Sequence, residues 1–399
     1  MTHSSPEMNQ RRQRLQQRFL QQQRFAAESS PLTSCLGGEV SQWLDNTSGD
    51  YELASWMIES SLSCETMAVP LLLLAALHRV ILEGDPASWS LGEFFPSVGG
   101  QRPVDTEALR PLLRQVVRAC RDRLSPTFTV SAVQTNETAR GLCWLLPVLY
   151  TGWPAMHLVD LGCSAGLNLV ADQRRFRLCG TGPDGQDMHI GMGGGEQFVI
   201  PCSGDFLAPK KHAVPQILSR LGCDRQPLFL KTEADEQHLA SYVWGDQVER
   251  LRMLRQGIEA LHRVEHSAAP VQLVAADLPN GLEALLDALL QTNTAPMVVY
   301  NTYLTSYLPC KGKGLEAQLD QWAERQSVPV LWIQWEPLRQ HLPPPALGWL
   351  GWTADVWIQG ERRRWHLAWV HPHGAGIKWL PDLAVWGTGY SFGEHLGGG

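Results

Sequence analysis

Apolar positions in the first 150 residues recur at helical spacing. Between residues 10 and 28, Leu15, Phe19 and Phe25 form a thin stripe on a Gln- and Arg-rich segment, which predicts a helix with one buried edge and a solvated face. Residues 67–82 are nearly continuously apolar and stop at Glu83-Gly84-Asp85-Pro86, as a buried core helix does. Beyond a Pro- and Gly-containing loop at 96–104, Leu109, Leu112, Leu113, Val116 and Val117 predict a helix over 105–124, and a further helix is expected over 137–149. From His157 the pattern changes. Short apolar runs at 156–161, 217–223, 271–277, 296–302 and 328–335 alternate with helical stretches at 165–174, 234–262, 281–291 and 314–326. Such alternation is the pattern of βαβ units around a mostly parallel sheet. Asp355 to Gln359 and Arg364 to His371 read as an antiparallel pair turning at Gly360-Glu361, and the Gly-rich stretch 178–206, with one strand-like piece at Phe198 to Cys202, reads as an insertion.

Composition narrows the classes. A chain of 399 residues with 44% hydrophobic and 18% charged residues is globular and long enough for two domains. A formal net charge of -7 disfavours a surface that tracks phosphates, so a nucleic-acid partner is not expected. Nine scattered cysteines without a C-x-x-C pair read as reduced thiols rather than a disulfide framework. The N-terminus lacks a secretory apolar stretch, and the longest apolar run, Ala68 to Leu77, is shorter than the roughly 20 residues a bilayer needs. A cytoplasmic protein with no membrane partner is expected.

The sharpest local signal is the run His157-Leu-Val-Asp-Leu-Gly-Cys-Ser-Ala-Gly-Leu-Asn168. An apolar strand reaches Asp160, then a loop with Gly162, Cys163, Ser164 and Gly166, then a helix opening near Asn168. Glycines let a backbone turn tightly and approach a ligand, and the helix start offers free N–H groups. The full dinucleotide fingerprint is absent, and a cofactor without pyrophosphate does not need it. S-adenosylmethionine fits that description. The same residues match G-x-S-x-G, the nucleophile elbow of α/β-hydrolases, and Ser164, Asp277 and His371 occur in the order such enzymes use. Against that stand the position of the loop on the first strand of the sheet and the lack of a preceding His-Gly-Gly segment.

Later strands end on polar residues, where open α/β sheets bind ligands. Asp224 is a candidate for ribose hydroxyls and Asp277 for an adenine amino group, although either could be a helix cap or a solvated loop carboxylate. Asn301 and Tyr303 end the fourth strand, without the Asn/Asp-Pro-Pro-Tyr arrangement of nucleobase methyltransferases, and Glu336 ends the fifth. Gln134-Thr-Asn136-Glu137 with Arg140 is a polar cluster, either a capping segment or a wall of the site. His371-Pro-His373 offers a general base or a structural histidine, with no evident partners for a metal. Ten of the 16 tryptophans lie from Trp322 onward, which suits a core first and an apolar pocket second.

Ser30-Pro-Leu32, Gln134-Thr-Asn-Glu137 with Arg140, Asp160 to Asn168, Asn301-Thr-Tyr-Leu-Thr-Ser-Tyr307 and His371-Pro-His-Gly374 recur in that order in a bacterial family known as a domain of unknown function (family 2332). The chain resembles that family from about Phe25 to Leu380. The family is similar to S-adenosylmethionine-dependent methyltransferases in its Rossmann half. The resemblance implies an α/β protein of the Rossmann-like class I methyltransferase fold, with a mostly parallel seven-stranded sheet and a helical N-terminal domain. The expected organisation is an N-terminal helical extension (1–28), a helical cap domain (29–150) and a Rossmann-like domain (151–399) with the insertion near 178–206.

On this reading the chain is a methyltransferase acting on a small-molecule acceptor. Asp160, Gly162, Cys163, Ser164, Gly166, Asn168, Asp224, Asp277 and Asn301 would hold S-adenosylmethionine. Glu137, Tyr303, Glu336 and His371 are the catalytic candidates, with Gln134, Asn136 and Arg140 beside them. A non-catalytic relative that binds a nucleotide-like ligand or a protein, and a serine hydrolase acting through Ser164, are the alternatives.

Overall fold

The computed structural model describes residues 6–45, 49–130, 134, 137–180, 187–209, 213–291, 294–337 and 343–389. The chain forms two compact units, Met1–Asn136 with Leu230–Leu254 and Glu137–Phe229 with Arg255–Gly399.

The first unit is helical among its described residues. The helix Pro6–Ala26 buries Leu15 and Phe19 completely, as the thin stripe predicts, while Phe25 is 69% exposed and lies nearly perpendicular to the Trp244 ring at 6.0 Å. The helix Val69–Leu82 is the centre of this unit, and Leu72, Leu73, Leu77 and Val80 pack there with Val40, Leu109, Leu113 and Val117. One expectation fails here. The stretch 234–262 is not one helix but two, Glu233–Ser241 and Val248–Val264. The interruption has a job: Asp246 accepts from the Ser30 hydroxyl and from the Leu32 N–H at 3.0 Å, anchoring the start of the helix Pro31–Trp43. The Gly245 carbonyl accepts from the Ser97 N–H at 2.9 Å.

The second unit is an α/β layer structure. Its strands are β1 (Ala155–Leu161), β2 (Arg175–Cys179), β3 (Met188–Ile190), β4 (Gln197–Ser203), β5 (Gln216–Asp224), β6 (Val271–Ala275), β7 (Met297–Thr302), β8 (Val330–Glu336), β9 (Leu350–Ile358), β10 (Glu361–Val370) and β11 (Ile377–Trp379). They form one mixed, mostly parallel sheet in the order β3-β2-β4-β11-β10-β9-β8-β7-β1-β5-β6. Eleven strands replace the seven expected. The strand-like piece foreseen at Phe198 to Cys202 is β4, which joins the sheet by pairing to β11, and the unforeseen strands are β2, which begins just before the glycine-rich segment, β3 within it, and β11.

The parallel core is β6-β5-β1-β7-β8. Three of these strands, β1, β7 and β8, are apolar almost throughout because both faces are covered. Val159, Leu161, Met297, Val299 and Trp332 pack with Leu282 and Leu286 of the helix Leu282–Leu290 and with Leu315 and Leu319 of the helix Lys313–Ala323. The chain turns from β1 to neighbours on opposite sides, β5 and β7, so the sheet reverses its winding at β1. In open α/β sheets such a reversal leaves a crevice at the C-terminal strand ends. The antiparallel pair foreseen at the C-terminus is β9 and β10, turning at Gln359-Gly360, both with positive φ. No helix among the described residues is long and apolar enough to cross a membrane.

Candidate functional site

The Gly162–Gly166 loop leaves β1 at the winding reversal. Gly162 has φ +81° and Gly166 φ +73°, and a Cβ on Gly162 would lie 2.9 Å from Leu304 Cδ1. Ser164 also takes a positive φ, +51°, where side chains other than those of Gly, Asn and Asp are uncommon. Its backbone is held there from two directions. The Ser164 N–H donates to Asp224 Oδ2 at 2.9 Å, and its carbonyl accepts from the Leu228 N–H at 3.1 Å. Asp224 Oδ1 accepts the Gln226 N–H at 2.9 Å, so this carboxylate orders the loop on one side and the end of β5 on the other. Ser164 is only 8% exposed, yet its hydroxyl makes no hydrogen bond among the described residues. A buried polar atom without a partner in a native fold calls for an explanation, and a ligand is one of the few available.

The segment after the loop departs from the expected α-helix. Residues 167–173 form a 3-10 stretch with a kink at Val170. Two carbonyls that an α-helix would pair internally are taken by side chains. The Trp144 indole donates to the Asn168 carbonyl at 2.8 Å, and the Arg220 guanidinium donates to that of Leu169. Arg220 also pairs with Asp172 through two hydrogen bonds of 2.8 and 2.7 Å, both residues being buried. The loop is therefore held from both sides, but the segment that follows it is a 3-10 stretch and not the start of an α-helix. The Asn168 side-chain oxygen makes no hydrogen bond among the described residues.

Asp160 sits one residue before the end of β1, 3% exposed, opposite Tyr300 in the register with β7. The Tyr300 hydroxyl donates to Asp160 Oδ2 at 2.8 Å. Burial pushes the Asp160 carboxyl up to about 7, with the Tyr300 hydrogen bond opposing and Asp224 adding to the shift. A carboxyl whose folded-state pKa exceeds its unfolded value near 3.8 favours the folded state least when ionised. Its relative contribution is fully present below about pH 4 and lost as pH rises through about 7. Asp160→Asn, which can still accept from Tyr300, should therefore gain stability on the wild type between about pH 4 and about pH 7 and hold that gain above. Hydrogen exchange at the amides of β1 and β7 in urea, at about pH 4.5 and about pH 8, is the check, and an unchanged stability difference between the two would remove the assigned ionisation.

Across the reversal, Glu336 ends β8 and is 4% exposed. Its Oε1 accepts from Asn301 Nδ2 at 2.6 Å and the Leu304 N–H at 2.7 Å, and its Oε2 from the Thr305 N–H at 3.1 Å and hydroxyl at 2.6 Å. Burial raises this carboxyl, and the four donors pull it back. The Asn301 side-chain oxygen in turn accepts from the Trp332 indole at 2.7 Å. Glu336 thus holds the turn after β7, where Tyr303 takes φ +59° with its N–H on the Trp335 carbonyl at 2.9 Å.

Three more of the predicted residues, Arg140, Glu137 and His371, gather around that turn. Arg140, 4% exposed, lies with its guanidinium carbon 5.4 Å from the Tyr303 ring centroid and donates from Nε to the Pro372 carbonyl at 3.0 Å. Glu137, 6% exposed, lies 3.3 Å from His373 Nδ1. His371 comes directly after β10 on the same sheet edge, since Glu336 pairs with Gly351 and Gly351 with Trp369. Burial lowers its pKa, His373 adds to this, and Glu137 opposes.

The structure therefore joins two groups along one sheet edge, linked where Gly162 meets Leu304. The first is Asp160, Gly162, Cys163, Ser164, Gly166 and Asp224; the second is Glu137, Arg140, Tyr303 and His371, with Asn301 and Glu336 underneath. Asp277 stands exposed beyond β6. Gln134 is half-buried in the other unit, and Asn136 lies outside the described residues. The Ser164–Asp277–His371 set of a hydrolase is not assembled. Strands β6 and β10 are six positions apart in the sheet, about 29 Å at ~4.8 Å per strand. Among the described residues no cluster of His, Cys, Asp or Glu could hold a metal ion.

Sequence reading gave no role to Tyr300, Thr305 or the Arg220–Asp172 pair, and it weighed His373 only together with His371, without its contact to Glu137. Tyr300 had a usable signal, since it lies on the strand face that pairs with Asp160 once β7 is placed beside β1.

Fold and site define an α/β protein with N-terminal helices and a polar constellation at the winding reversal of an eleven-stranded sheet. The chain belongs to the family of uncharacterized proteins conserved in bacteria, DUF2332, whose model matches residues 16–379. No curated protein and no solved structure matches it.

Proposed function

We propose that the strands β6-β5-β1-β7-β8 are a Rossmann-like nucleotide-binding sheet and that the protein transfers a methyl group from S-adenosylmethionine to a small-molecule acceptor. The observation that carries this reading is the buried Ser164 hydroxyl without a hydrogen-bond partner among the described residues, on a loop at the winding reversal of the sheet. A polar ligand group there supplies the missing bond. Asp224 spends one acceptor position of each oxygen on the loop backbone, and a carboxylate has further positions for ribose hydroxyls. Asp160, Gly162, Cys163, Gly166 and Asn168 complete the cradle, and exposed Asp277 reaches the adenine side. When bound, the sulfonium supplies an activated methyl carbon, and the protein's task is alignment of the acceptor for in-line displacement. Glu137, Arg140, Tyr303 and His371 occupy the acceptor side.

Calorimetric titration of the full chain with S-adenosylmethionine is the test. Saturable binding is expected. Gly162→Val should weaken it by about tenfold or more, because a β-branched residue at φ +81° also collides with Leu304. Asp277→Ala, changing one exposed acceptor, should cost about two- to tenfold. A folded protein that takes up no heat at millimolar cofactor would end the proposal. Binding without transfer to a broad acceptor panel would favour the non-catalytic relative.

One observation favours the hydrolase instead: Ser164 holds the positive φ of a strained strand-to-helix turn. Labelling of Ser164 by a fluorophosphonate, lost in Ser164→Ala, would establish that alternative.

A further inference from the structure

The main-chain N–H of His373 donates to Nδ1 of His371 at 3.2 Å. A ring nitrogen that accepts carries no proton, so the single imidazole hydrogen belongs on Nε2. Adding a second proton would set Nδ1–H against the His373 N–H. Burial and the neighbouring His373 work in the same direction, against Glu137. Nε2 itself makes no hydrogen bond to the described residues. Around the ring stand Glu137 against His373, the Trp349 ring at 6.1 Å, and buried Arg140 tied to the carbonyl of Pro372.

We propose that His371 is a fixed hydrogen-bond donor through Nε2–H, not a base, and that the group it holds is the carboxylate of the small-molecule acceptor. The carboxylate part rests on the methyl-transfer reading; the tautomer does not. An N–H donor prefers an anionic oxygen to a neutral one, because a hydrogen bond to an ionised acceptor is shorter and stronger. An oxygen that arrives ionised also has no proton to lose, which suits a histidine unable to accept at Nε2. The carboxylate oxygen forms the new bond to the methyl carbon with its own electron pair. The carbon–sulfur bond breaks, and its pair stays on sulfur. A cation and an anion thus become a thioether and a methyl ester, and no proton moves. Loss of both charges is favourable in a partly desolvated site.

The test is nitrogen NMR of the full chain carrying 15N-histidine, with the His371 ring assigned by its loss in His371→Gln. At about pH 7 an unprotonated Nδ1 and a protonated Nε2 are expected. His373→Ala, which keeps the main-chain N–H, should preserve that tautomer. A proton on Nδ1, alone or together with Nε2, overturns the donor assignment. Benzoate and hexanoate are then titrated against their amides, tracking the Nε2 resonance. A saturable shift with the acids and none with the amides supports the carboxylate. No shift up to the solubility limit, or an equal response to the amides, overturns it. Cofactor binding is read separately by calorimetry on the same sample. A carboxylate response without cofactor binding keeps the anion site and removes methyl transfer.

Discussion

Asp172→Ala should lower the stability of the sheet unit by about 3–5 kcal/mol, the range for breaking a buried ion pair from one side. Arg220 and Asp172 have side chains only 6% and 7% exposed, and the guanidinium meets both carboxylate oxygens. Removing the carboxylate leaves a full charge in the interior with the Leu169 carbonyl as its remaining hydrogen-bond partner among the described residues. Water cannot easily replace the lost partner at that depth. The same guanidinium fixes the 3-10 stretch behind the Gly162–Gly166 loop, so ligand binding at the loop should weaken as well. Because the chain holds two compact units, a single global midpoint is a poor reporter. Hydrogen exchange at the amides of β1 and β5 in urea reads the affected unit directly. A change below about 1 kcal/mol would show that the pair is compensated in a way its geometry does not reveal. The double replacement Asp172→Leu with Arg220→Met should recover much of the loss, since it removes both charges.

That pair also shows where sequence reading stops. Asp172 and Arg220 are 48 residues apart, and each alone is an ordinary charged residue near the edge of an apolar segment. Only the pairing of β1 with β5 makes them neighbours. Strands β1, β7 and β8 were legible because both faces are buried and their apolar runs are nearly unbroken. The switch from helical to alternating pattern at His157 likewise marks the start of the sheet to within two residues. The glycine-rich segment reads as an insertion because turn residues hide short strands. Phe176 and Phe198, stacked with centroids 4.9 Å apart, reveal its pairing only in three dimensions. The 3-10 stretch at 167–173 was beyond local propensity for a related reason. Its helical ladder is interrupted by Trp144 and Arg220, neither of which belongs to the local sequence.

The candidate site was legible as residue types at strand ends, and less so as roles. Glu137, Arg140, Tyr303 and His371 lie up to 234 residues apart in the chain (371 minus 137) yet belong to one cluster. Tyr303 and His371 stand out because polar residues at the ends of buried strands are conspicuous, and Glu137 and Arg140 because they form a polar cluster between apolar segments. What the sequence could not supply was which atoms were already committed. Asp224 holds backbone N–H groups on two sides, and the Nδ1 of His371 is occupied from within its own segment. Roles depend on the atoms left over, and those are set by hydrogen bonds of the folded backbone.

Glu336 is the strongest instance, and its replacement by glutamine should be far more damaging than so small a change suggests. Both carboxylate oxygens accept, and each faces one backbone N–H together with one side-chain donor. A glutamine must put its NH2 where one of those oxygens was. Turned one way, it opposes the Leu304 N–H and Asn301 Nδ2; turned the other way, it opposes the Thr305 N–H, although the Thr305 hydroxyl can rotate to accept. Either orientation leaves a backbone donor without its partner and removes charge-assisted bonds, for an expected loss of about 2–4 kcal/mol. The effect is not confined to stability. Tyr303 holds its left-handed conformation because the residues on either side are pinned, and release of Leu304 and Thr305 lets it relax toward an ordinary φ. The ring then moves away from Arg140, and Leu304 moves away from Gly162. Under the proposed methyl-transfer function, Glu336→Gln should therefore weaken both cofactor and acceptor binding, while Glu336→Ala, which leaves all four donors unpaired, does so at least as strongly. Calorimetry on both variants, with exchange at the Leu304 and Thr305 amides, tests this. A glutamine variant that binds normally with those amides still protected would make Glu336 a group available for direct contact with substrate.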